Sequence, residues 1–374
     1  MKLEDCSVAL VHHWFLAMAG GERVCEALCE IVGAPDIFAI LTDKNTMSES
    51  LRRCRVTASF VQTLPWAARW YRYYVWMFPL AVEHFDLSSY DLVISSDANT
   101  VKGVITNPET CHVCYCHSPM RYAWNLFHEY RDIPNPVKRA IISLTMHYLR
   151  LWDYCASARV DYFVANSQAV RRRIKKYYRR DAKVIYPPCD VERFHVDSKI
   201  DDYYLVVGRL VDYKKADLAI RAFSRTNRRL LVVGDGPQRK YLESIAGKNI
   251  EFLSGVDDLE LAALYSRCKA LIFPGEEDFG IVPVEAQASG RPVIAYARGG
   301  ALETVVPGET GIFFGEQTPE ALHSAVEEFE RRLDCFDPER IRDLARRFGK
   351  ERFHRDFSGH LQWCLDDHAA QLDQ

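Results

Sequence analysis

The sequence predicts an α/β protein of two doubly wound domains, on three observations. Short apolar runs recur between helical stretches, the rhythm breaks once near residue 190 and restarts, and the runs are apolar throughout instead of alternating. Strands of that kind belong in parallel sheets covered by helices on both faces. With 374 residues and 48% hydrophobic content, the chain can bury two ordinary cores.

The first series comprises VALVHH, DIFAIL, DLVISS, KGVIT, HVCYCH, DYFVANS and KVIYPP, all before residue 190. The stretch PPCDVERFHVDSKIDD is polar, contains proline and suits a linker. YYLVVGRL, RRLLVVGDG, IEFLSG, KALIFPG and RPVIAYARGG form the second series. The reading is therefore an N-terminal domain over 1–190 and a C-terminal one over 191–351. In such sheets ligands gather outside the carboxyl ends of the strands.

Several classes are disfavoured. A net charge of -3 lacks the basic excess of a dedicated nucleic-acid binder, so no nucleic-acid partner is expected. No run of 18 apolar residues and no leader-like start is seen, which points to a cytoplasmic chain. The twelve cysteines are scattered through apolar segments, which argues against disulfides. CHVCYCHSP offers Cys111, Cys114, Cys116 and His117 in a zinc-like cluster, but no second ligand pair follows, so it reads as a buried strand.

The loops after the strands carry the chemistry. VVGRLVDYKKADLAIRAF ends a strand at Gly208 and sets Arg209 and Lys214 before an amphipathic helix, a place where backbone N–H groups and two cations suit a phosphate. VVGDGPQRK supplies Gly234 and Gly236, which permit close backbone approach. YARGGALETV places Gly299 and Gly300 ahead of Glu303, and MAGGERV places Gly20 and Gly21 before a helix carrying Glu22 and Arg23. A glycine pair is not a GxGxxG fingerprint, which weakens a dinucleotide-oxidoreductase reading. FPGEEDFGIVPVEAQASG holds two acids, Glu277 and Glu285; the second lies among Val282, Val284, Ala286 and Ala288, where an unpaired carboxylate is costly.

GRL with Lys214, VGDGP and the Glu277-x7-Glu285 pair follow in an order that resembles glycosyltransferase family 4, from AGGERV to GETG at 308–311. The resemblance implies a GT-B fold, two Rossmann-like doubly wound domains facing each other across a cleft, with a final helix near 352–374 returning to the N-terminal domain. It implies a nucleotide-sugar donor on the C-terminal domain and a saccharide or lipid-linked acceptor on the other. Glu277 would hold hexose hydroxyls and Glu285 ribose hydroxyls. Asp278, Phe279, Gly280, Ile281 and Val282 would line the donor, as would Gly208, Gly234 and Gly236. Arg209 and Lys214, assisted by the amides of Gly20 and Gly21, would stabilise the leaving diphosphate. His117 would sit near the transferred sugar. Asp278 stands where the family usually has glycine.

YCHSPMRYAW is further similar to the mannosyltransferase branch that builds bacterial surface polysaccharides, implying GDP-mannose, while the family resemblance implies transfer with retention. The alternatives are another donor, UDP-glucose or a UDP-N-acetylhexosamine, and a non-catalytic nucleotide-sugar binder. No DxD motif is well placed, so no metal and no cofactor are expected. Finally, LPWAARWYRYYVWMFPLA at 64–81 joins Trp66, Trp70 and Trp76 to Arg69 and Arg72, and VRRRIKKYYRR adds a basic face. Together they suit peripheral contact with an anionic membrane, on the inner face of the cell membrane.

Overall fold

The computed structural model describes residues 2–373. The chain divides into two compact units, one comprising Met1–Tyr186 with Phe353–Gln374 and the other Pro187–Arg352. Both have a parallel sheet at their centre. In the first unit the strands β1 (Val8–Phe15), β2 (Asp36–Thr42), β3 (Val56–Ala58), β4 (Leu92–Asp97), β5 (Cys111–Cys116), β6 (Tyr162–Ala165) and β7 (Ala182–Val184) lie in the order β3-β2-β1-β4-β5-β6-β7. In the second, β8 (Tyr204–Val207), β9 (Leu230–Val233), β10 (Ile250–Leu253), β11 (Leu271–Phe273), β12 (Val293–Tyr296) and β13 (Gly311–Phe314) lie in the order β10-β9-β8-β11-β12-β13.

The apolar runs explain the central strands. β4 and β5 are buried at every position. Alternate residues of β1 feed two different cores: Val8 and Leu10 pack with Val24 and Leu28 of the helix Gly20–Val32, while Ala9 and Val11 pack with Phe78 and Val82. The register Ala9↔Asp36 on one side and Val8↔Leu92 on the other keeps these faces aligned. Cys114 and Cys116 share one face of β5 and Cys111 and Tyr115 the other.

Three expectations are corrected. KGVIT is no strand: Val101–Gly103 forms a 3-10 turn, because Lys102 is drawn inward by two carboxylates. The stretch 187–202 is no free linker: Cys189, Val191 and Phe194 are buried in the second unit, and the Phe194 ring meets Tyr265 edge-on at 5.7 Å. The apolar-run reading also passed over β3 and β13, at one edge of each sheet. β3 is only three residues long, and none of them is fully buried.

The helix Lys350–Leu372 places Phe353, Phe357, Leu361, Cys364 and Leu365 in the core of the first unit. Phe353 and Phe357 meet the Tyr115 ring at 5.9 and 5.8 Å, and Tyr162 donates to Asp367 at 2.7 Å. Each large apolar side chain buried in this way stabilises by about 1.5–3 kcal/mol.

A buried histidine makes the first unit acid-sensitive. His112 is enclosed in β5, 2.9 Å from the Ser95 hydroxyl, and burial pulls its pKa from 6.5 down to about 4. The folded state keeps it neutral, whereas the unfolded chain protonates it below its ordinary pKa. Its contribution is therefore complete above pH 6.5 and is lost as pH falls towards about 4. Thermal melts followed by circular dichroism should show a falling Tm across that window, and replacing His112 by glutamine should flatten the fall.

Candidate active site

In the second unit, candidate functional side chains gather at the carboxyl ends of β8 and β11. After β8 the chain passes Gly208 and the exposed Arg209, makes a 3-10 turn over Asp212–Lys214, and enters the helix Ala216–Phe223. Lys214 Nζ lies 2.8 Å from Glu277 Oε1, on the loop after β11, and both side chains are less than one-fifth exposed. Gly275 makes that approach possible, since a Cβ there would come 2.8 Å from Lys214 Cα. Burial pulls the Lys214 pKa down, but Glu277, Tyr213 and Glu285 together offset this and the net shift is upward, so the ammonium stays charged at neutral pH.

The remaining predicted residues support this pair. A Cβ on Gly234 would collide with the Gly208 carbonyl oxygen, and one on Gly236 with that of Leu210, so these glycines let the loops after β8 and β9 pack backbone to backbone. Gly300 N donates to the Glu277 carbonyl at 2.9 Å, bracing the acidic loop from the turn after β12. Asp278 is half-buried and Phe279 buried. Gly280, in the left-handed region at φ 83°, precedes the helix Ile281–Ala288, whose first turn holds the half-buried Ile281 and the buried Val282.

Glu285 lies on that helix with its side chain 14% exposed. Its Oε2 accepts from the Tyr265 hydroxyl at 2.9 Å, and Arg193 Nη2 is 3.5 Å from its Oε1. Burial and the neighbouring Glu285 push the Tyr265 phenol well up, so it remains a donor. These partners answer the cost of a carboxylate among apolar neighbours. Sequence reasoning missed both: Arg193 lay in the presumed linker and Tyr265 in an unremarkable helix.

In the first unit the predicted residues meet at the carboxyl ends of β1, β4 and β5. His117 follows β5, with its Nε2 2.8 Å from Ser96 Oγ and its amide donating to the Asp97 carbonyl at 2.7 Å. Gly20 and Gly21 open the helix Gly20–Val32, and a Cβ on Gly21 would touch His12 at 3.4 Å and His117 at 3.8 Å. His12 and His13 went unnoticed in the sequence except as part of a strand, yet both are buried, and the His12 and His117 rings are 6.5 Å apart. Beneath His117, Lys102 is sealed between Asp97 and Asp153, and Asp153 also accepts from Trp124 at 2.7 Å and Tyr178 at 2.8 Å.

Two parallel-sheet α/β units with strand-end sites of this kind define the GT-B class, and comparison with known proteins agrees. Residues 8–193 match Glycosyltransferase Family 4 and residues 190–348 match Glycosyl transferases group 1, so the chain belongs to the glycosyltransferases built from these two domains. An uncharacterized glycosyltransferase of Methanocaldococcus jannaschii is 29% identical over 54% of this chain and 57% of its own length. A GDP-mannose-dependent alpha-(1-6)-phosphatidylinositol monomannoside mannosyltransferase of Mycolicibacterium smegmatis is 33% identical over 37% of this chain and 44% of its own. The chain thus matches about half the length of these curated relatives. Among solved structures, sucrose-phosphate synthase from Thermosynechococcus elongatus superposes with a TM-score of 0.74 at 20% identity, covering 96% of this chain and 99% of that one. Anabaena HepE in complex with UDP and glucose gives 0.68 at 14% identity, covering 95% and 99%. These likenesses show the fold.

Proposed function

We propose that the protein is a retaining hexosyltransferase that moves mannose from GDP-mannose to a saccharide or lipid-linked saccharide. The observation that carries this reading is the Lys214–Glu277 pair at 2.8 Å, a charged donor and a charged acceptor side by side at a strand end. A nucleotide sugar needs both: a cation for the diphosphate and a carboxylate for sugar hydroxyls. Arg209, exposed on the same loop, supplies a second cation, and Glu285 offers an acceptor for ribose hydroxyls. Departure of the diphosphate leaves negative charge that Lys214 and Arg209 are placed to stabilise, with no divalent ion assigned to that task. No Asp or Glu is assigned as an acceptor-side base. The leaving phosphate can take the acceptor proton on the same face, which gives retention. The GDP-mannose-dependent relative from Mycolicibacterium smegmatis supports mannose as the sugar, while the UDP complex of HepE keeps a uridine donor as the second reading.

An assay with GDP-mannose and UDP-glucose in excess EDTA tests the proposal. Transfer from GDP-mannose should persist, exceed that from UDP-glucose, and give an α-linked product by anomeric NMR couplings. Loss of turnover on chelation, restored by magnesium, would remove the cation assignment, and a β-linked product would remove the retaining mechanism.

The acceptor side of the reading includes peripheral membrane contact. Among the described residues no helix is long and apolar enough to cross a membrane. Trp66, Trp70, Tyr73 and Trp76 are exposed, and so are Val137, Ile141, Leu144, Tyr148 and Leu151 along the helix Pro136–Ala156. Val75, Ile142 and Trp152 pack on one small cluster around Met120, which makes the two apolar surfaces neighbours. Arg171, Arg172, Lys175 and Lys176 are exposed on the helix Gln168–Tyr177. Aromatic and aliphatic groups with cations nearby suit an anionic headgroup region. The chain should sediment with anionic vesicles, less so at high salt or after Trp66→Ala with Trp70→Ala; a chain that stays in the supernatant would refute the contact.

A further inference from the structure

Towards the carboxyl end of β1 two buried imidazoles lie side by side. His12 Nδ1 lies 3.1 Å from the Ser96 carbonyl oxygen. A carbonyl only accepts, so Nδ1 carries the hydrogen and Nε2 presents a lone pair. That Nε2 is 3.7 Å from Glu22 Oε1, too far for a hydrogen bond, and has no other partner. His13 Nδ1 is buried beside it, also without a partner, with the two imidazole centroids 3.9 Å apart. The three donor atoms lie within 4.8 Å of one another. Unpaired polar atoms in a buried position are costly, and two unpartnered imidazole nitrogens beside a carboxylate suit a cation.

We propose that His12, His13 and Glu22 form a binding site for a divalent d-block cation, with zinc as the best fit. Tetrahedral bonds of about 2.0–2.1 Å separate neighbouring donors by roughly 3.4 Å. The observed 3.7 Å between His12 Nε2 and Glu22 Oε1 is close to that, so modest side-chain movement closes the set. Two imidazoles and one carboxylate suit zinc, cobalt or nickel, whereas magnesium and calcium demand more oxygen ligands. The supporting shell already exists. Ser96 orients His12, and Glu22 Oε2 accepts from Ala19 N at 3.1 Å, which aims Oε1 at the histidines. The ion would tie β1 to the start of the helix Gly20–Val32, within one unit.

The test uses the full chain, stripped with chelator and without substrate, so its result is independent of the transferase reading. Zinc is titrated against a chromophoric chelator, and cobalt is followed by its visible absorption. One zinc per chain and a cobalt spectrum of low coordination number are expected. His13→Gln and Glu22→Gln should weaken zinc binding by at least about tenfold, the scale seen when even supporting residues of metal sites are lost. Glutamine at position 22 can still accept from Ala19 N, so that variant keeps the helix start, and an unchanged circular dichroism melt without metal confirms its fold. Wild-type protein that binds no zinc, or binds it as tightly in both folded variants, would overturn the site.

Discussion

Replacing Lys214 or Arg209 by alanine should lower turnover by about 100- to 1,000-fold each, the usual cost of removing one preorganised electrostatic contact to developing charge. The two variants differ in their secondary effects. Arg209 is exposed, so its loss should move stability within about 0.5 kcal/mol, as for most surface positions. Lys214 is largely enclosed against Glu277, and its removal strands that carboxylate at a cost of about 1–3 kcal/mol. Turnover at saturating donor, measured beside a thermal melt, separates the effects: Arg209→Ala should lose activity at nearly native Tm, and Lys214→Ala should lose both. Near-normal turnover in both variants would remove the diphosphate assignment.

The first unit should be most sensitive at Lys102. Its ammonium is fully buried, 3.2 Å from Asp97 Oδ2 and closer still to Asp153, and it also donates to the Asn99 carbonyl at 3.2 Å. Burial alone would lower its pKa, but the two carboxylates raise it far beyond the ordinary lysine range, so it is charged at any working pH. Lys102→Met removes the positive charge held between Asp97 and Asp153 and leaves both buried carboxylates without it. Breaking one partner of a buried ion pair costs about 3–5 kcal/mol. A Tm drop far larger than that of Arg209→Ala is expected, with activity falling too because the Asp97 carbonyl holds the His117 amide. A Tm within a degree of wild type would show that the triad is dispensable. The double change Lys102→Met with Asp153→Asn should recover part of the loss, since it removes one of the stranded charges.

What could be read from the chain, and what could not, follows from range. Central strands such as β4 and β5 announce themselves because burial on both faces demands unbroken apolar runs. KGVIT imitates such a run, and only the distant Asp153 decides that Lys102 turns inward. The candidate site residues from Gly208 to Glu285 could be named from motif order. Their pairing could not, because periodicity says which face a residue takes but not which loop it meets. Lys214 with Glu277, and Glu285 with Tyr265 and Arg193, are contacts between elements far apart in sequence. His12 and His13 were hidden for another reason: within VALVHH they continue a strand, and only the arrival of Glu22 and Ser96 gives them chemistry.

The helix Lys350–Leu372 makes the first unit discontinuous, and that sets an order of events during synthesis. The N-terminal sheet leaves the ribosome before the second unit, but part of its core, from Phe353 to Leu365, is made only after that unit. The intervening unit is one uninterrupted segment and can complete its own packing beforehand. At about 5–20 residues per second, its 187–352 stretch takes roughly 10–30 s to translate. For that time the Tyr115 ring lacks Phe353 and Phe357, which pack against it, and part of this core is left open. The usual rule that the domain made first is finished first is reversed here, and a nascent chain halted before Phe353 is the form in which a chaperone would meet this protein.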